Sequence, residues 1–286
     1  MNQLLTNGPG SPRITAFIGG GNMARSLIGG LIADGFDPAH IIAADPVDDT
    51  RADLGARMGI KTSAENTHAA DQADILVMAV KPQMLRAVAE GIAASVQNRK
   101  PLVISIAAGV RSDDLERWLG GDVAVVRTMP NTPALVQSGA TALFANPRVR
   151  AEQRDLAESI LRAVGITRWV NDESLIDAVT ALSGSGPAYF FLVMEAMQAA
   201  GEKLGLDSES ARLLTLQTAF GAAKMALESR EAPADLRKRV TSPGGTTERA
   251  LGVMEDEGLR ATFEKALAAA RDRSEELAGM MSGSDT

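Results

Sequence analysis

Six residues, Gly19-Gly20-Gly21-Asn22-Met23-Ala24, constrain this chain more tightly than any other stretch. They follow a short apolar run at residues 14–18 and open a helical pattern at 22–34. Strand, glycines, helix in that order fit the spacing G-x-G-x-x-G/A of a dinucleotide-binding turn. Gly19 permits the tight turn, Gly21 lets a pyrophosphate approach the backbone, and Ala24 lets helix and strand pack closely. Asn22 and Met23 begin the helix, whose free N–H groups and partial positive charge suit phosphates. A glycine turn that binds nothing is the plainer alternative, and the rest of the first half bears on it.

Apolar runs recur at residues 41–44, 75–80, 102–108 and 123–126, with helical patterns between them. Short continuous runs of this kind indicate strands buried on both faces, hence an α/β, Rossmann-like, doubly wound parallel sheet. Residues 150–164 suggest one more helix and 167–170 a last strand. After Asp172 the pattern is helical throughout, at 175–182, 188–204, 208–228, 234–240, 246–257 and 259–277, with Gly, Pro and Ser between. At 286 residues the chain exceeds the usual size of one core. The expected division is a leader at 1–12, a dinucleotide-binding domain at 13–171 and an all-α C-terminal domain at 172–286.

Ligands in an open sheet of this kind bind outside the carboxyl ends of its strands. Asp45 ends the second strand, where an acid accepts hydrogen bonds from the adenosine ribose and favours NADH over NADPH. As structure it is a turn aspartate before Pro46, and Arg51 is near enough in sequence to reach a 2′-phosphate. Ala79-Val80-Lys81-Pro82 and Ala107-Ala108-Gly109 end later strands, and each reads equally as a plain strand-to-helix turn.

Several chemistries are excluded by what is missing. Without cysteine there is no disulfide framework, thiolate catalysis or cysteine-held zinc. His40 and His68 are too few for a multi-histidine metal centre, and neither is assigned a catalytic role. A net charge of −7 without a basic run has the wrong sign for nucleic acid. Residues 1–12 lack the charged start and apolar core of a signal peptide, and the longest apolar stretches look too short for a bilayer. A cytoplasmic protein with no metal, membrane or nucleic-acid partner is expected.

Further residues carry a more selective signal. Leu182-Ser183-Gly184-Ser185-Gly186-Pro187-Ala188-Tyr189, followed by Ser242-Pro243-Gly244-Gly245-Thr246-Thr247, resembles the signature of the pyrroline-5-carboxylate reductase family. Val80-Lys81-Pro82, Ser105-Ile106-Ala107-Ala108-Gly109 and Met129-Pro130-Asn131-Thr132-Pro133 match as well, in the same order. The resemblance implies reduction of the cyclic imine Δ1-pyrroline-5-carboxylate to L-proline with NADPH or NADH. It also implies a homodimer of interleaved C-terminal helices, often assembled into a ring of dimers such as a decamer. It places Asn66 at the adenosine ribose, and Lys81, Pro82, Ala107 and Asn131 along the nicotinamide half. Thr246-Thr247 would hold the substrate from the dimer mate. Asp45 departs from many NADPH-preferring relatives, so the choice of cofactor stays open.

Hydride transfer to a C=N carbon needs no protein nucleophile, because the cofactor carries the difficult step. What remains is to hold the two reactants together and bind the substrate carboxylate. Ser242, Gly244, Gly245, Thr246 and Thr247 suit that task, since glycines ahead of a helix leave N–H groups free for an anion. Thr247 adds a hydroxyl that orients the ring nitrogen or carboxylate. The same residues equally make an ordinary helix cap with Glu248 in its first turn. Ser183 and Ser185 precede Pro187 at a helix start and either link two helices or close over the nicotinamide with uncharged hydroxyls. Two other readings stand: a β-hydroxyacid dehydrogenase with Lys224 as proton acceptor, and a nicotinamide-sensing binding protein without turnover.

Overall fold

Each apolar run of the first half becomes a strand of a single sheet in the computed structural model, which describes residues 13–282. Among the described residues the strands are β1 (Thr15–Ile18), β2 (Ile41–Ala44), β3 (Lys61–Ser63), β4 (Ile75–Met78), β5 (Leu102–Ser105), β6 (Val125–Met129), β7 (Gly139–Ala145) and β8 (Gly165–Trp169). Their order is β3-β2-β1-β4-β5-β6-β7-β8. The order reverses between β1 and β4, which opens a crevice at the carboxyl ends of these strands.

The first six strands are parallel, as expected, but β7 runs antiparallel to β6, with Arg127 opposite Phe144. The sheet is therefore mostly rather than wholly parallel. A parallel pair needs a long crossover, usually helical. Between β6 and β7 the chain instead turns back through a short 3₁₀ segment, Thr132–Val136, so β7 must run the other way.

Helices α1 (Asn22–Ala33), α2 (Asp48–Met58), α3 (Asn66–Ala70), α4 (Pro82–Arg99), α5 (Ser112–Trp118) and α6 (Ala151–Arg162) cover the sheet. Successive strand residues point to opposite faces, so one apolar run feeds two cores. Phe17 packs with Leu27, Leu54 and Ile160 on one side, while Ile18 packs with Leu85, Ile92 and Trp118 on the other. Each such buried side chain contributes about 1.5–3 kcal/mol.

The second half forms α7 (Leu175–Val179), a π-helical turn (Thr180–Gly184), α8 (Gly186–Lys203), α9 (Ser208–Glu228), α10 (Pro233–Arg239), α11 (Thr246–Asp256) and α12 (Leu259–Ser282). The change of sequence character near Asn171 and the division by packing do not coincide. One compact unit runs up to Ser185 and takes in residues from Ala270 onward; the other is Gly186–Ala269. Ile176, Asp177, Ser274 and Ala278 are buried within the first unit, which explains why α7 and the end of α12 belong to it. The second unit has the opposite character, with Phe190, Phe191 and Phe220 exposed at 66%, 63% and 61%. The helical run Leu175–Lys203 is long and apolar enough, by length and composition alone, to cross a membrane. That corrects the expectation that no stretch reaches this length.

Candidate active site

At the end of β1 the chain turns directly into α1. Gly19 has φ +100°, and a Cβ there would stand 2.6 Å from the carbonyl oxygen of Ala79. Only glycine fits so close to the β4 strand end. At Gly21, by contrast, nothing lies within 4 Å of the place a Cβ would occupy. Gly21 is the N-cap of α1, and no side chain caps the helix. Open space beside uncapped first-turn amides is what a pyrophosphate requires, so these residues fit a dinucleotide.

Asp45 has a structural duty in addition to its position. Its Oδ2 accepts from the Gly20 N–H at 2.8 Å and its Oδ1 from the Val47 N–H at 2.9 Å. The carboxylate thus braces the glycine turn from the neighbouring strand. Arg51 donates to the Asp45 carbonyl at 2.7 Å and pairs with Asp48, so its guanidinium is already engaged. Arg25 donates to the Gly20 carbonyl at 3.0 Å and pairs with Asp53. Its hydrogen bond holds the Asp53 carboxyl below the ordinary carboxylate range.

The other strand ends are arranged around this turn. Lys81 is the N-cap of α4 with Pro82 in its first turn, and a Cβ at Gly19 would also press on Val80. Asn66 opens α3 and, with Thr67, Gln83, Met84 and Val88, lines a cleft of about 460 Å³. Past β5, the Ala107 N–H approaches the Ser105 hydroxyl at 3.4 Å. Asn131 uses both ends of its amide inside the protein: Nδ2 donates to the Ser183 carbonyl at 3.0 Å and Oδ1 accepts from the Ala140 N–H at 2.9 Å. It therefore ties the π turn to β7.

Within that turn the Ser183 hydroxyl donates to the Val179 carbonyl at 3.2 Å, and the Ser185 N–H donates to the Thr180 carbonyl at 2.8 Å. Gly184 leaves room for Met129, since a Cβ there would stand 2.5 Å from the Met129 Cε. Single π turns recur at functional sites, where they displace a few residues out of helical register.

In the second unit, the segment from Ser242 to Thr247 leads into α11. Gly244 has φ +71°, and Gly245 caps the helix without a side-chain hydrogen bond. Two amides that the sequence offered to an anion are used internally. The Gly244 N–H donates to Glu248 Oε2 at 2.7 Å, and the Gly245 N–H donates to the Ser242 carbonyl at 3.0 Å. The first-turn amides of α11 are the part of the segment that lacks a side-chain cap. Lys224 on α9 is exposed and stands 3.8 Å from Glu228, an ordinary surface pair one helical turn apart.

Residues 173–277 match the family model described as pyrroline-5-carboxylate reductase dimerisation. Residues 14–109 match the model described as NADP oxidoreductase, coenzyme F420-dependent. A pyrroline-5-carboxylate reductase of Pseudomonas aeruginosa is 54% identical, with 94% of this chain and 97% of the relative covered. A solved pyrroline-5-carboxylate reductase from Coxiella burnetii is 50% identical, with TM-score 0.90 over 93% of this chain and 98% of its own. A Plasmodium falciparum pyrroline carboxylate reductase solved with NADP bound has TM-score 0.81 at 29% identity, covering 93% of this chain and 98% of its own.

Proposed function

This chain belongs to the pyrroline-5-carboxylate reductase family, and from that premise we infer that it reduces Δ1-pyrroline-5-carboxylate to L-proline, the last step of proline biosynthesis. The observation that carries this reading is the 54% identity over 94% of the chain. The reductant is NADPH or NADH, whose nicotinamide supplies the hydride when bound. The reaction adds hydride to the imine carbon and a proton to the ring nitrogen.

Each residue then has a holding task. Gly19, Gly21, Asn22 and Met23 seat the pyrophosphate, Asp45 and Asn66 the adenosine ribose, and Val80, Lys81, Pro82 and Ala107 the nicotinamide half. Asn131 serves that half through the Ser183 carbonyl it holds. Ser183 and Ser185 close the site without adding charge. The first-turn amides of α11 from Thr246 onward hold the substrate carboxylate from the partner protomer, Ser242, Gly244 and Gly245 shape the turn that presents them, and Thr247 orients the imine. No side chain is an indispensable general acid: the proton reaches nitrogen from solution or through an ordered water. The enzyme works in the cytoplasm as dimers assembled into a ring.

Following nicotinamide absorbance with pyrroline-5-carboxylate present tests the reading. Oxidation of NADPH or NADH dependent on the imine is expected. Its absence would favour a cofactor-sensing protein, and activity on hydroxyacids lost in Lys224→Met would favour the dehydrogenase reading.

A further inference from the structure

Behind these strand ends lies a buried ionic cluster that the sequence did not single out. Arg127, in the middle of β6, is 1% exposed. Its guanidinium lies 3.1 Å from Glu173 and 3.8 Å from Asp177, which is also 1% exposed. Arg127 Nη2 and Asp177 Oδ2 find no hydrogen-bond partner among the described residues. Glu173 keeps 15% of its side chain exposed, but Arg127 and Asp177 are out of water, and apolar side chains of the same volume often serve stability as well as or better than such a buried pair. Stability alone is a poor reason for such a cluster.

Its contacts suggest a different use. The Glu173 carboxylate accepts from both the backbone N–H and the hydroxyl of Ser112, each at 2.7 Å. Ser112 opens α5 directly after the loop that carries Ala107 and Gly109. Asp177 Oδ1 accepts from the Ser274 hydroxyl on α12 at 2.8 Å. Farther along the same helix, Met281 stands where a Cβ at Gly109 would touch it, at 3.7 Å. Asp177 lies on α7, which runs on into the π turn with Ser183. Arg127 itself sits two residues before Met129 on the strand that leads to Asn131. The loop after β5, the end of β6 and the π turn are thus joined through one cluster, all inside the first unit.

We propose that Arg127, Glu173 and Asp177 are positioning residues for hydride transfer: their cluster locks these three segments together, so that the nicotinamide is held at one distance from the imine carbon. This rests on the reductase reading above. The nucleotide turn has its own braces in Asp45 and Arg25, so the adenosine half keeps its anchor when the cluster is disturbed.

Glu173→Gln keeps side-chain size and removes one charge, and it is the first test, made on the full-length protein. Active protein is counted as NADPH-binding sites by titration, and kcat is measured with NADPH and with NADPH deuterated at the transferred position. Misplacement by about 1 Å costs about 10²-fold in rate, so kcat per site should fall about 10- to 100-fold. The NADPH dissociation constant should stay within about threefold, and the isotope effect should be no smaller than in the wild type. A reduced number of sites, each with kcat within about twofold of wild type, would overturn the proposal and leave the cluster a structural one. Should Glu173→Gln fail to fold, Asp177→Asn and Arg127→Lys make the same comparison, and Arg127→Lys, which keeps the charge but not the planar fork, should be intermediate. The two readings fail separately: a wild type that oxidises neither NADPH nor NADH with the imine removes the function, while an active wild type with unaltered variants removes only the positioning.

Discussion

Gly19 and Gly21 differ in what a methyl group would meet, and so they should fail in different ways when replaced. Gly19→Ala puts a Cβ against the Ala79 carbonyl at a positive φ, a conformation that costs about 1–2 kcal/mol before the clash is counted. Thermal melts should show clear destabilisation. Gly21→Ala meets only open space in the protein, at φ −70°, and should melt close to wild type. In the proposed site its methyl would stand where the pyrophosphate needs the backbone, so KM for NADPH should rise at least about tenfold, the worth of one hydrogen bond to a charged group. The opposite ordering in melts and titrations would overturn the assignment of the turn. At Asp45, charge and bracing act together. Asp45→Ser keeps an acceptor for the Gly20 N–H while removing the charge proposed to oppose a 2′-phosphate. The ratio of kcat/KM for NADPH over NADH should rise; an unchanged or reversed ratio would sink the idea. Thr247→Ala should lose one orienting hydrogen bond, about 1–3 kcal/mol, or roughly 5- to 150-fold in kcat/KM, with the wild-type pH dependence kept. A fall in kcat beyond about a thousandfold, with cofactor binding intact, would place Thr247 on the proton path. The glycines and Asp45 are legible in sequence because their roles depend on a few neighbouring residues. Arg127 is not, because Glu173 lies 46 residues away and the Asp177–Ser274 contact spans 97.

Among elements, what could be read from the sequence follows from how continuously each one is buried. Runs such as Ile75–Met78 lie in the middle of the sheet with every residue buried, and they stand out as apolar. The strand Lys61–Ser63 is a short, mostly exposed edge, and nothing in its composition marks it. The segment Gly139–Ala145 escapes notice for another reason: it begins with glycine, is rich in alanine and pairs antiparallel where a parallel strand is expected. The helices of the second half were nearly all visible, since glycine, proline and serine punctuate them. The π turn was not, because one extra residue in a helical register leaves no periodic mark. Asn131 offers a way to weigh that turn. Asn131→Ala leaves the part-buried Ala140 N–H and Ser183 carbonyl without their partner, at up to about 1 kcal/mol for each. Asn131→Asp keeps the acceptor for the Ala140 N–H but sets a carboxylate oxygen against the Ser183 carbonyl in place of the donor. Denaturant unfolding should therefore place both variants below wild type. An Asn131→Asp protein as stable as wild type would mean that only the bond to β7 matters, and one no more stable than Asn131→Ala would mean that the contact with the Ser183 carbonyl decides.

The second unit poses the largest question of scale, because it has almost no interior of its own. From Gly186 to Ala269 only Gly186, Ala211 and Thr215 are buried, none of them a large apolar side chain. Burial of apolar surface is the main favourable term in folding, so these helices need a surface that the isolated unit does not contain. The faces bearing Phe190, Phe191, Leu214 and Phe220 are too apolar to remain wet. The match of residues 173–277 to a dimerisation model names the cover: a second copy of the same region. The helical run Leu175–Lys203 passes the length and composition test for a membrane span, but the dimerisation match assigns its exposed apolar residues to a protein partner. Folding of the second unit should therefore be inseparable from association, and its melting temperature should rise with protein concentration. Light scattering at micromolar concentration should show no monomer. Phe191→Glu should weaken association, lower the melting temperature and reduce activity together, since the proposed substrate segment from Ser242 to Thr247 lies in the same unit. A stable, fully active monomer in either protein would overturn this account, and would mean that the exposed faces meet something other than a second copy.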